Sequence, residues 1–119
     1  MSQKPQETLR QLSEIFPSFG EQWKDDQVPL GDTLADGVYY EWTHHNVMRE
    51  FLEYFASNHE SFTAKQLRRI GAWINDADSV QGDLENAVAT CFLEHARQVK
   101  INRVLGPYLS LEAKRKLRA

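Results

Sequence analysis

Gly82-Asp83-Leu84-Glu85-Asn86-Ala87-Val88-Ala89-Thr90-Cys91-Phe92-Leu93-Glu94-His95-Ala96 is the stretch on which the reading of the fold turns. Wound as a helix at about 100° per residue, it gathers Leu84, Ala87, Val88, Cys91 and Phe92 on one face, joined further on by Val99. Ala89 and Leu93 widen that arc, and only Asn86, Thr90, Glu94 and Arg97 remain as a narrow polar strip. A helix apolar around most of its circumference belongs in the middle of a bundle. The apolar pattern runs on through Ile101, Val104 and Leu105 until Gly106-Pro107 breaks the chain.

The neighbouring segments read as helices packed around it. Upstream, Leu67, Ile70, Trp73 and Ile74 recur at helical spacing, while Lys65, Arg68 and Arg69 point elsewhere. That helix opens with Thr63-Ala-Lys-Gln66, a capping box in which the threonine hydroxyl satisfies a free backbone N–H. Gly71 lies beside Leu67 on its buried face, where close approach of another helix would explain a residue that otherwise costs about 1 kcal/mol. Val47, Met48, Phe51, Leu52 and Phe55 form the stripe of a helix from about Thr43 to Ser57. Leu9, Leu12, Ile15 and Phe16 mark a first helix, which Pro17 is expected to end. After the break at Gly106-Pro107, Ser110 caps a short basic last helix over 111–119. The expectation is an all-α chain: one compact domain of four to five helices, flexible over residues 1–5.

Between the first two helices, Pro17, Gly20, Pro29, Gly31 and Gly37 predict a long ordered loop over 17–41, with a short extended piece over Gly37-Val-Tyr-Tyr-Glu-Trp42. Connections this long in a compact domain are more often functional than idle. Residues 21–41 hold Glu21, Asp25, Asp26, Asp32, Asp36 and Glu41 against the single cation Lys24, a local charge of −5. Trp23 and Trp42 are expected to anchor the loop. Tyr39 and Tyr40 are consecutive, so in extended chain they face opposite ways and one is exposed. An exposed aromatic among carboxylates is the composition of a contact surface for a basic partner.

Composition bounds the alternatives. At 119 residues, 41% hydrophobic and 26% charged, the chain fits a single globular domain with a real core. Residues 111–119 carry four cations against Glu112, so the net charge of −3 conceals −6 on the remaining 110 residues. Such a body is a poor nucleic-acid binder, since phosphate contacts need clustered Lys and Arg. The basic tail complements the dipole of the last helix. No apolar run approaches the roughly 18 residues of a membrane span, and the polar start Met1-Ser-Gln-Lys-Pro-Gln-Glu lacks the apolar segment of a signal peptide. A single cysteine forms no internal disulfide, which makes a reducing cytoplasm the natural home and excludes zinc sites built on cysteine pairs.

Other residues invite chemical readings. Cys91 and His95 are four apart, neighbours on a helix face, but at the centre of the apolar arc a thiol is usually inert, so Cys91 reads as core. Adjacent His44 and His45 diverge by about 100° and cannot chelate one ion from a regular helix. His44 aligns with Phe51 and Phe55 and reads as a hydrogen-bonded core or helix-end histidine. A buried cluster of His44, His95 and Cys91, serving an enzyme or a ligand-binding domain, is the alternative. Asp76-Ala-Asp78-Ser-Val-Gln-Gly82-Asp83-Leu-Glu85 resembles a calcium loop, yet its fifth, sixth and twelfth positions are Val80, Gln81 and Ala87, where an oxygen ligand, glycine and glutamate are required. A polar turn, with Asp83 and Glu85 favourable at a helix start, is the better account. Neither a glycine-rich phosphate loop nor a nucleophile elbow is present. No metal, cofactor or catalytic residue is expected.

Asp83-Leu-Glu-Asn-Ala-Val-Ala-Thr-Cys-Phe-Leu-Glu94 followed by Leu105-Gly-Pro-Tyr-Leu109 resembles small, uncharacterised helical bacterial proteins, some of them similar to immunity proteins of polymorphic toxin systems. The resemblance covers mainly residues 83–109 and transfers no catalytic residue. It implies a non-catalytic role in binding a protein partner, such as a basic toxin domain. An acidic adaptor in a larger assembly shares the same surface argument. The expected contact residues are Asp25, Asp26, Asp32, Asp36, Tyr39, Tyr40 and Glu41.

Overall fold

The structure, a computed structural model, describes residues 5–26, 44–79, 82–96 and 101–116. Seven α-helices and no strand occur among the described residues: α1 Pro5–Ile15, α2 Pro17–Asp26, α3 His44–Asn58, α4 Ala64–Ser79, α5 Asp83–Cys91, α6 Asn102–Leu105 and α7 Leu111–Lys116. Short 3₁₀ turns lie at His59–Ser61, Leu93–His95 and Gly106–Tyr108. The fold is all-α. It has more and shorter helices than the expected four to five.

The first departure is α2. Pro17 starts a helix as well as ending one: its missing N–H is no loss at a first helical position and its fixed φ suits the first turn. The chain reverses at Phe16, whose N–H is bonded to the Leu12 carbonyl at 2.8 Å, and Phe19 N–H returns to the Phe16 carbonyl at 2.9 Å. Residues 17–26 of the expected acidic loop are therefore helical, with Phe19 and Trp23 buried. The extended piece expected over 37–42 lies outside the described residues.

The second departure is the central helix. Gly82, at φ 140°, opens α5 in a backbone conformation open to glycine and closed to residues with a Cβ. The helix then stops at Cys91, where Phe92 at φ −127° and ψ −67° turns the chain into a 3₁₀ segment. Apolar periodicity continues past that point because Phe92, Leu93, Ala96, Ile101 and Leu105 all enter the core. Burial demands apolar residues whether or not the backbone stays helical. Within these shorter limits α5 holds the central place expected of it, packed against both α3 and α4.

One hydrophobic cluster takes residues from all seven helices. Its middle is aromatic. Phe51 of α3 stacks on Phe92 with centroids 5.4 Å apart and meets Phe19 edge-on at 5.2 Å, while Phe16 lies 4.4 Å from Phe62. Such pairs add about 0.5–1.5 kcal/mol each beyond their area burial. The buried Tyr54 shares a hydroxyl–hydroxyl hydrogen bond with Ser18, tying α3 to α2.

The helix starts are held as the sequence implies. Thr63 Oγ1 accepts the Gln66 N–H at 3.1 Å and Gln66 Oε1 accepts the Thr63 N–H at 3.0 Å, the reciprocal capping box. Ser110 Oγ accepts the Ala113 N–H at 3.2 Å and opens α7. Gly71 is crossed closely, by the 3₁₀ turn at Tyr108: a Cβ added to Gly71 would lie 2.5 Å from Tyr108 Cβ and 2.6 Å from its carbonyl oxygen. No helix among the described residues is long and apolar enough to cross a membrane.

Candidate functional site

The buried cluster of His44, His95 and Cys91 does not form. His44, the first residue of α3, is 5% exposed and its Nδ1 is 3.1 Å from the hydroxyl of the fully buried Thr8. It is the hydrogen-bonded helix-end histidine that its place on the stripe suggests, and it fixes the start of α3 to α1. His95 is exposed, because the 3₁₀ turn after Cys91 swings it off the face that a continuous helix would have given it. That turn also removes the helical neighbour relation between Cys91 and His95.

Cys91 has a different partner. The side chain of His45 reaches it from α3, 46 residues away in sequence, with Nδ1 3.0 Å from Sγ. On the far side of the imidazole, Asn86 of α5 brings its side-chain amide to 3.5 Å from Nε2. Thr90 Oγ1 donates to the Asn86 carbonyl at 2.8 Å and stands 3.8 Å from Sγ. Cys91, His45 and Thr90 are half-buried and Asn86 is exposed, so the cluster opens to solvent. Cys91 is thus not the enclosed core thiol expected. It lies at the edge of the apolar arc, where α5 leans on the first turn of α3.

This arrangement is one that spacing could not reveal. Cys91 and His45 come together through the packing of two helices, and sequence carries no local signal for that register. What was legible is that His44 and His45 point in different directions. The structure gives the first to the core and the second to the core's rim.

The acidic stretch begins on α2. Asp25 and Asp26 are its last two residues, while Asp32, Asp36, Tyr39, Tyr40, Glu41 and Trp42 lie outside the described residues. Both ends of the connection are held firmly. Trp23, one turn before the end of α2, is 4% exposed, and His44 is bonded to Thr8 at the start of α3. Residues 27–43 therefore join two helices seated in one core.

Elsewhere the carboxylates do structural work. Asp76 and Asp78, read as part of a polar turn, are in α4. Asp78 forms an ion pair with Lys116 of α7, and Glu85 stands 3.9 Å from the same ammonium. On α1, Arg10 bridges Glu7 and Glu14, and its hydrogen bond holds the Glu7 carboxyl below the usual carboxylate range. These α1 pairs are exposed and add little to stability. No group of three or more His, Cys, Asp or Glu among the described residues is placed to hold a metal ion. Comparison with family models, curated proteins and solved structures finds no match.

Proposed function

We propose that the protein is a non-catalytic binding module that engages a basic protein partner through the acidic stretch 21–41, in the manner of an immunity protein occluding a toxin domain. The observation that carries this reading is six carboxylates against one lysine over 21 residues, on a stretch continuous with two core-anchored helices. Mutual repulsion among those carboxylates opposes compact folding, and a cationic partner relieves it. Fixed ends favour the role, because less freedom is lost on binding when the segment's limits are already held. Electrostatic attraction at this charge density speeds encounter, and aromatic side chains such as Tyr39 and Tyr40 slow release.

The test begins with capture of the partner at low salt from the native host, or with a toxin domain encoded beside the gene. Association is expected to be fast and to weaken as salt rises, since screening shortens to about 8 Å at physiological ionic strength. Changing Asp25, Asp26, Asp32 and Asp36 together to Lys should slow association and leave helical content intact. Tyr39→Ala or Tyr40→Ala should mainly hasten dissociation. Unchanged kinetics in the charge-reversed protein would place binding elsewhere and defeat the proposal.

A further inference from the structure

The geometry points to a second, chemical site: Cys91 and His45 form a surface thiol–imidazole pair in which His45 acts as base and Asn86 positions it, suited to exchange with small disulfides. Neither the acidic stretch nor a protein partner is needed for this chemistry. Three observations support it. Sγ and Nδ1 are within hydrogen-bonding distance at 3.0 Å. The second ring nitrogen has its own contact, Asn86 at 3.5 Å, so the ring is held from both sides. Finally, Cys91 is only partly buried and the Asn86 amide is exposed, which leaves a path for a small molecule.

The atom of Asn86 that faces Nε2 is its amide nitrogen, and a base at Nδ1 requires the amide turned over. For Nδ1 to take the thiol proton, Nε2 must carry the other hydrogen, and the Asn86 amide then presents its oxygen to it. Amide oxygen and nitrogen exchange places by a half-turn of the terminal group, so the same separation serves either orientation. A base oriented by a third group is the arrangement that activates thiol nucleophiles.

The step balances without a further oxidant. The Cys91 proton moves to His45 Nδ1, and the resulting thiolate attacks one sulfur of the disulfide. The bond between the two original sulfurs breaks. The departing thiolate then takes the proton from Nδ1. One mixed disulfide on Cys91 and one free small thiol result, and His45 returns to its neutral form.

The helix ends set the scale of the effect. Cys91 is the last residue of α5, beside its carbonyl end, and His45 is the second residue of α3, beside its amide end. Neither dipole favours the charged pair, so the pair relies on the imidazole and its Asn86 contact, and the acceleration is modest, about tenfold, below the roughly 10²–10⁴ of general acid–base catalysis.

The experiment uses the intact protein and glutathione disulfide at neutral pH, with adduct formation followed by mass spectrometry. The native protein should react about tenfold faster than the same chain unfolded in urea, where His45 no longer faces the thiol. Asn86→Ala should lower the native rate while leaving the helical circular dichroism unchanged. His45→Ala should lower it further, and added imidazole should restore it, which a merely structural role for His45 would not allow. Should His45→Ala fail to fold, the comparison of native with unfolded chain and the Asn86→Ala rate decide the matter. A native thiol slower than the unfolded one, or a rate indifferent to both substitutions, overturns the assignment.

Discussion

Gly71→Ala ought to destabilise the protein, against the ordinary rule for helices. In an exposed helix interior this change is worth about 1 kcal/mol in favour of alanine. At Gly71 the new methyl group would sit 2.5 Å from Tyr108 Cβ and 2.6 Å from the Tyr108 carbonyl oxygen, inside any van der Waals separation. One of those atoms is backbone, and the turn that carries it is not free to recede. Asn75 holds it on both sides, accepting the Ser110 N–H at 2.8 Å and donating to the Tyr108 carbonyl at 3.4 Å. Leu105 and Leu109 pin the same turn into the core. Overpacking of this kind costs about 1–3 kcal/mol, and contact with backbone places it at the upper end. Less the gain in propensity, the net loss is about 2 kcal/mol. For a chain of 119 residues, whose unfolding entropy scales with length, that lowers Tm by about 8 °C. Gly106→Ala is the control, because nothing lies within 4 Å of its added methyl group. Thermal unfolding followed by circular dichroism gives both values. If Gly71→Ala matches or exceeds the wild-type Tm, the close crossing of α4 by the Tyr108 turn is wrong.

Charge in the core of α5 should be intolerable. Val88 is fully buried, so Val88→Asp should cost more than about 4 kcal/mol and abolish soluble expression, whereas half-buried Thr90→Asp should cost no more than about 1 kcal/mol, from a carboxylate in the last helical turn. Similar yields of folded protein from both would show that the buried face of α5 has been misassigned. Near the start of α5, Lys116→Met should strip the buried Asp78 carboxylate of its ammonium partner. Denaturant unfolding should register a loss of about 1–3 kcal/mol, much of it recovered by Asp78→Asn in the same background. Additive losses in the double variant would mean that the two side chains are not coupled.

The parts of this fold legible in the sequence are those whose cause is local. Thr63 and Gln66 name their own hydrogen bonds, three residues apart, and the stripe from Val47 to Phe55 fits α3. Gly71 announced a close crossing, but the neighbour is the 3₁₀ turn at Tyr108 where another helix was expected. Pro17 misled because the same residue suits a helix's first position and forbids its interior. The arc beyond Cys91 misled because buried chain is apolar in any conformation, so the apolar pattern at Phe92, Leu93 and Ala96 fits a helix although the backbone turns into a 3₁₀ segment there. The pairing of Cys91 with His45 was out of reach altogether, being a property of how α3 and α5 meet.

The aromatic middle of the core also bears on how the chain comes together in time. Phe51, Tyr54, Phe55 and Phe62 belong to one short span of sequence, and Phe16, Phe19 and Trp23 to another. Rings within each span can meet before any distant segment arrives, because closing a short stretch of chain takes little entropy. Phe51 touches rings of both groups and Phe92 as well. Its contacts are where the slow, long-range step of assembly is first rewarded. A nucleus centred on Phe51, with α3 formed and α1–α2 docking onto it, is the transition state this topology favours, with folding in the microsecond-to-millisecond range of helical domains rich in local contacts.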